Sequence, residues 1–223
     1  LDADIIIKNI RKDINGCKFD IIAKNYQITD IFANFYGQHN IGNAAACIAI
    51  AKFVGIEDFV IKDALTNYQG VQRRFTKVGN YQDSVIIDDY AHHPTEISAT
   101  LEAAKQIISD RNKIITIFQP HKYSRTLDLL DEFASCFKIS GIVIIDDIHR
   151  IADERTDLVN QDILIKKIKE TGQDNVIKLE NKQNLARIVK KYIKSGDLVL
   201  CSGAGSITSM ARNLEKELKE LDG

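Results

Sequence analysis

The stretch SVIIDDYAHHPTEISATLEAAKQII, residues 84–108, decides the architecture. Ser84–Asp88 is a short β-rich run bounded by polar residues, and it ends on paired carboxylates. Pro94 suits the first position of a helix, where its missing N–H costs nothing. Beyond it Ile97, Leu101, Ala104 and Ile108 recur at steps of four, three and four, which lays one apolar stripe along a helix. The same strand–turn–helix phrase then repeats. Lys113–Phe118, Ile142–Asp146, Asn175–Leu179 and Leu198–Ser202 are further β-rich runs with helical periods between them. One period carries Leu127, Leu130, Phe133 and Phe137 behind Ser124 as N-cap; the last carries Ile207, Met210, Leu214, Leu218 and Leu221. Alternating βα units of this length predict an α/β fold, a mainly parallel sheet with helices on both faces.

Residues 1–70 have a different texture. Asp4–Ile10, Phe19–Ala23 and Ile28–Phe35 read as strands. Asn43–Val54, apolar on nearly every face, reads as a buried helix, and Ile56–Tyr68 as an amphipathic one. Gly55 fits the helix end between them. The chain therefore divides at 70/71.

Composition excludes several classes. Apolar residues make up 44% and charged residues 27%, an ordinary globular balance, and the net charge is −1. The basic footprint of a nucleic-acid binder is missing. Cys17, Cys47, Cys136 and Cys201 form no CxxC pair, which favours free thiols in a cytoplasmic setting. No run has the length and apolarity of a membrane span, and no signal peptide opens the chain. The first residue is Leu1, which suggests a piece of a longer polypeptide.

In parallel α/β sheets ligands collect at the carboxyl ends of strands. Two turns rich in polar and ionisable groups occupy such positions and should lie side by side on one rim: Asp88–Pro94 and Gln119–Arg125. In the first, Asp89 can receive an amine or orient a histidine, and His92 can hold a carboxylate or phosphate. Adjacent His92 and His93 point apart and lack a third ligand at helical spacing, so hydrogen bonding outranks metal binding here. In the second, His121, Lys122 and Arg125 gather positive groups near a helix start, where free N–H groups also favour anions. Elsewhere, Asn40 and Asn43 can read an adenine edge or cap the following helix, with a turn at Gly37. Arg73 and Arg74 can clamp a phosphate or stand solvated. Ser202–Ser206, short of a full dinucleotide fingerprint, reads as close backbone packing.

Together the blocks GQHNIGN (37–43), GVQRRF (70–75), DDYAHHPTE (88–96) and QPHKYSRT (119–126) resemble the Mur ligase family, in its branch that joins L-alanine to UDP-N-acetylmuramate. The resemblance implies that residues 1–70 are the C-terminal part of a central ATP-binding domain and 71–223 a C-terminal Rossmann-like domain. It implies ATP and Mg2+, an acyl phosphate intermediate, UDP-N-acetylmuramate and L-alanine as partners, and peptidoglycan precursor synthesis in the cytoplasm. By resemblance, His39, Asn40 and Asn43 sit at the adenine, and Arg73 and Arg74 reach the nucleotide. Asp89, Tyr90, His92 and His93, with His121, Lys122, Tyr123, Ser124 and Arg125, face the substrates.

Three departures from the family pattern stand out. The chain has no GxxGK[ST] phosphate loop, and that loop and the metal ligands belong upstream. Lys122 stands where Arg is common, so charge is kept without bidentate geometry. The segment IHRIADERTD (148–157) replaces an expected Gly/Pro-rich acidic loop, and Ser206 stands where Asp is common. Two other readings of the chain are a non-catalytic nucleotide-binding module and a ligase that recycles a muramoyl tripeptide.

Overall fold

The computed structural model describes residues 3–13, 16–150 and 158–223. Two compact units result, Leu1–Val71 and Gln72–Gly223.

The first unit is a three-stranded antiparallel sheet, β1 (Ile5–Asp13), β2 (Gly16–Ala23) and β3 (Gln27–Ala33), with helices α1 (Gln38–Phe53) and α2 (Asp58–Thr66). Its core sets Phe19, Ile21, Ile28 and Ile31 of the sheet against Ile41, Ala44, Ala45 and Ile48 of α1 and Ile61 of α2. Two expectations need correction. Helix α1 starts at Gln38, with Gly37 as its N-cap at φ 93° and no side-chain cap. Asn40 therefore does not cap; its amide donates to Tyr36 O at 2.8 Å, and Asn43 lies a full turn inside. Nor is α1 buried all round: its sheet-facing side is covered, while Cys47, Ile50 and Phe53 are exposed. Three strands supply a cover for one side only. Gly55, at φ 83°, does end α1 as expected.

The second unit is the α/β body. Its strands are β4 (Thr76–Tyr81), β5 (Ser84–Asp89), β6 (Ile114–Phe118), β7 (Ile142–Ile145), β8 (Val176–Lys178) and β9 (Leu198–Ser202). Its helices are α3 (Pro94–Ile107), α4 (Tyr123–Asp128), α5 (Leu130–Cys136), α6 (Gln161–Glu170), α7 (Leu185–Tyr192) and α8 (Ile207–Glu220), with a 3-10 turn at Lys182–Asn184. The sheet order is β4-β5-β9-β6-β7-β8, and every pairing is parallel except β4 with β5. Every residue of β6, β7 and β9 is buried, because both sheet faces are covered. On one face α3, α5 and α6 bring Ile97, Leu101, Phe133, Phe137, Leu164 and Ile168 onto the sheet. On the other, α7 and α8 bring Leu185, Val189, Ile207, Leu214 and Leu218.

The apolar stripe expected from Leu127 to Phe137 is not one helix. It breaks at Leu129, and α4 is capped by Lys122 at φ 72°, not by Ser124. Phe133 and Phe137 still reach the core, whereas Leu127 is exposed. No helix among the described residues has the length and apolarity to cross a membrane.

Candidate functional site

Strand β9 enters the sheet between β5 and β6, so the two polar turns share a rim but do not follow neighbouring strands. The chain leaves β9 toward one face through α8, and leaves β5 and β6 toward the other through α3 and α5. Connections that part in opposite directions open a crevice above the strand ends. Its floor is the Gly203–Ser206 turn, and glycine is required there by contact. A Cβ on Gly203, at φ 149°, would lie 2.6 Å from Gln119 O. One on Gly205 would lie 2.2 Å from Gln119 Oε1 and 2.7 Å from His149 Cγ. The low turn leaves the two flanking loops free to meet across it.

They meet through a row of rings. The Arg73 guanidinium lies 4.5 Å from the Tyr90 ring centre, and Tyr90 meets His92 edge-on at 5.1 Å. His92 meets His121 at 5.8 Å, and His121 stacks on His149 at 5.5 Å with 13° between planes. The row thus runs from the end of β5 over β9 and β6 to the loop after β7. Backbone pairing continues past the strand ends to hold it: Asp146 N donates to Phe118 O, His149 N to Pro120 O at 2.7 Å, and Lys122 N to His149 O at 3.3 Å.

The carboxylates do internal work. Asp89 Oδ2 accepts from Phe75 N at 2.7 Å, and Oδ1 accepts from Ala91 N at 2.8 Å and Thr100 Oγ1 at 3.4 Å. It braces the turn that carries Tyr90. His93 is the N-cap of α3: its Nδ1 accepts from Thr95 N, while Glu96 Oε2 accepts from His92 N at 3.0 Å and His93 N at 3.2 Å. His92 donates Nδ1–H to Tyr90 O at 2.9 Å, which leaves Nε2 as an acceptor in the neutral ring.

Among the described residues of this second unit, three buried polar atoms lack a hydrogen-bond partner: Arg73 Nε, His121 Nδ1 and Arg125 Nη1. Buried polar groups are nearly always paired, by protein or by ordered water, so three orphans on one rim set this place apart from the rest of the body. Burial holds the His121 imidazole below the usual histidine range, and His149, His92, Arg125 and Lys122 push the same way by charge. The standing positive charge is therefore that of Arg125 and Lys122. Lys122, half-buried, joins α4 in a left-handed backbone conformation, a strain that functional turns commonly hold. Tyr123 is buried against Ile148 and Val159, while Ser124 is exposed at the start of α4. Arg73 Nη2 donates to Gly203 O at 2.6 Å, tying the unit's first turn to the crevice floor; Arg74 is exposed, 5.9 Å from the Tyr90 ring.

Sequence reasoning missed the residues on the β7 side. Asp146, almost fully buried, accepts from Gln119 Nε2 at 2.7 Å and pairs with Lys182 Nζ at 3.2 Å. Lys182 and Gln119 also donate to Ser206 Oγ, at 2.9 and 3.1 Å. Burial raises the Asp146 carboxyl above its usual range, with Lys182 opposing. Asp146 had a sequence signal, an acid closing an apolar strand run; His149 and Lys182 had none. Of the divergent 148–157 segment, residues 151–157 lie outside the described residues. Among the described residues no three His, Cys, Asp or Glu side chains are grouped to hold a metal ion. His39 and Asn43 are exposed and Asn40 half-buried on the first turns of α1, in the first unit.

The family description "Mur ligase, glutamate ligase domain" matches residues 73–205, the body that carries this crevice. The chain belongs to the Mur ligase family. A UDP-N-acetylmuramate–L-alanine ligase from Bradyrhizobium sp. strain BTAi1 is 37% identical over 225 residues, covering 98% of this chain and 48% of the relative. One from Rhodospirillum rubrum is 37% identical over 227 residues, covering 99% and 47%. This Mur ligase chain thus spans about half the length of the curated relatives it matches. Among solved structures, the UDP-N-acetylmuramate–alanine ligase of Thermotoga maritima matches with a TM-score of 0.82 at 23% identity, over 98% of this chain and 46% of that one. A murein peptide ligase from Psychrobacter arcticus matches with a TM-score of 0.68 at 21% identity, over 97% and 44%. The structural likenesses establish the shared fold.

Proposed function

We propose that this chain is the substrate-side half of an ATP-dependent ligase that joins L-alanine to UDP-N-acetylmuramate through an acyl phosphate, in peptidoglycan precursor synthesis. The observation that carries the reading is the pair of unpartnered buried groups, His121 Nδ1 and Arg125 Nη1, in the turn after β6. An acyl phosphate and the tetrahedral species that follows amine attack concentrate negative charge on oxygen. Placed cations in a partly dry crevice are the device that stabilises such charge. Arg125 supplies a permanent charge and a forked donor; His121, held neutral, accepts a proton as the anion settles. Tyr90 and His92 line the opposite side and accept or donate at the crevice mouth. In this reading Leu1 to Gly70 close the ATP-binding domain, with His39, Asn40 and Asn43 at the adenine and Arg73 and Arg74 toward the phosphates. Mg2+ would be held by the half of the enzyme outside this chain, and cytoplasmic location follows from the nucleotide substrates.

The test is a chimera in which this chain replaces the half of the Bradyrhizobium ligase that it matches. ADP release should require both UDP-N-acetylmuramate and L-alanine, and the isolated chain should show none. Turnover with a muramoyl-linked tripeptide but not with L-alanine would point to a recycling ligase instead. Nucleotide binding without any amine-dependent ADP release would leave only a binding module.

A further inference from the structure

A carboxylate directly after β7 is buried beside the crevice floor: Asp146 is 1% exposed. A buried carboxylate is costly unless it is paired, and here the pairing draws on three connections of the sheet. Lys182 Nζ, from the 3-10 turn between β8 and α7, lies 3.2 Å from Asp146 Oδ2 and donates to Ser206 Oγ at 2.9 Å. Asn181 Oδ1 fixes that turn by accepting from Gln183 N at 2.9 Å. Gln119, which opens the turn after β6, donates from Nε2 to Asp146 Oδ2 at 2.7 Å and to Ser206 Oγ at 3.1 Å. Its Oε1 accepts from Ile207 N at 3.2 Å, at the start of α8. Desolvation offsets much of the attraction in an ion pair of this kind, so the pair contributes little net stability. What it fixes is an orientation.

We infer that Lys182 and Asp146 are positioning residues for this crevice: Lys182 keeps the carboxylate charged, and the charged carboxylate holds the Gln119 amide one way round. An ionised carboxylate only accepts hydrogen bonds, so Nε2 must face it and Oε1 is left for Ile207 N. A protonated carboxyl also donates. The amide can then turn round, which sets Nε2 against Ile207 N, donor against donor. The consequence reaches the rim, because the Gln119 side chain and the His149 ring both lie against Gly205, and His149 stacks on His121. Burial raises the Asp146 carboxyl, while Lys182, the Asp147 N–H and Gln119 oppose it. Lys178, on the adjoining β8, is paired with Asp162 at 2.8 Å. The orientation stands on the crevice geometry, and its effect on turnover rests on the ligase reading.

The experiment follows the Gln119 side-chain amide and the Ile207 backbone amide of this chain by NMR across pH. Both should move with a common midpoint. Lys182→Met should raise that midpoint by about one pH unit or more, as loss of a close opposite charge does. Lys182→Arg should leave it near the wild-type value. Because His149 also lies near Gln119, the assignment is made with Asp146→Asn, neutral at every pH, in which the shifted midpoint should be absent. The Lys182 side chain is half-exposed, so its variants should keep the wild-type circular dichroism spectrum. In the chimera, kcat of Lys182→Met should fall as pH drops through the raised midpoint, with KM for ATP unchanged. A midpoint that ignores Lys182→Met, or a raised one that survives when Asp146→Asn is added, overturns the inference. So does an unmoved kcat profile in an active chimera. A chimera without amine-dependent ADP release counts against the ligase reading alone, since the resonances decide the positioning role without turnover.

Discussion

His121 and His149 lie ring on ring, and two stacked imidazoles resist carrying two protons together. Burial first, and this repulsion from His149 second, hold His121 below the ordinary histidine value of about 6.5. A histidine with a lowered pKa binds fewer protons folded than unfolded, so it removes stability as pH falls from about 6.5 through its folded pKa. His149→Phe keeps a flat ring in the stack and removes one repelling charge. The His121 midpoint, followed by NMR of its ring protons in this chain, should rise in that variant; an unmoved midpoint would show that the stack does not control it. Arg125 is the permanent charge. In the chimera Arg125→Ala should lower kcat/KM at least about tenfold, roughly 1.4 kcal/mol of transition-state binding, and unchanged kinetics would reduce the turn after β6 to a structural role. The site was legible in sequence where chemistry sits in a turn after an apolar strand, as for His92, His121 and Arg125. It was not legible where the role depends on a contact across strands. Nothing local distinguishes His149 or Lys182 from other loop cations, and Asp89 and His93 look like ligand groups until their partners, Phe75 N and Thr95 N, are seen.

The decisive element is the turn after β9, whose two glycines let the flanking loops close over it. Gly205→Ala would drive a methyl group into Gln119 Oε1 and the His149 ring. Gln119 is almost fully buried and already committed to Asp146 and Ser206, so it has little room to yield. The substitution should cost about 1–3 kcal/mol in urea unfolding of this chain, typical of overpacking, and should shift the His121 ring resonances. Stability and resonances both unchanged would mean that the turn is not packed as described. At this scale the sequence was most informative for the fully buried strands β6, β7 and β9, and for the nearly buried β5, whose apolar runs have only one environment to occupy. The edge strand β4 escaped notice because TKVGNY carries little apolar alternation. Its hairpin also turns on Gln82 and Asp83, both at positive φ, without the usual Asn-Gly signal. Helix α1 was read as wholly buried for the opposite reason: its composition reports more cover than this length of chain supplies.

Seen whole, the chain pairs a complete α/β body, with apolar cores on both faces of a six-stranded sheet, and a smaller unit in which a helix suited to burial stands half uncovered. The crevice of the body is furnished with cations and orphaned donors but not with a phosphate loop, which fits one side of a reaction whose other side lies elsewhere in the family's length. On the proposed ligase reading, the ATP-driven step and the amine-acceptor step depend on both halves being present. The most direct measurement is ADP release by the chimera of this chain with the unmatched half of the Bradyrhizobium ligase, with L-alanine and UDP-N-acetylmuramate each added or withheld. Release that needs both substrates and that Arg125→Ala suppresses is the expected result. A folded chimera that releases no ADP in response to L-alanine would contradict the account.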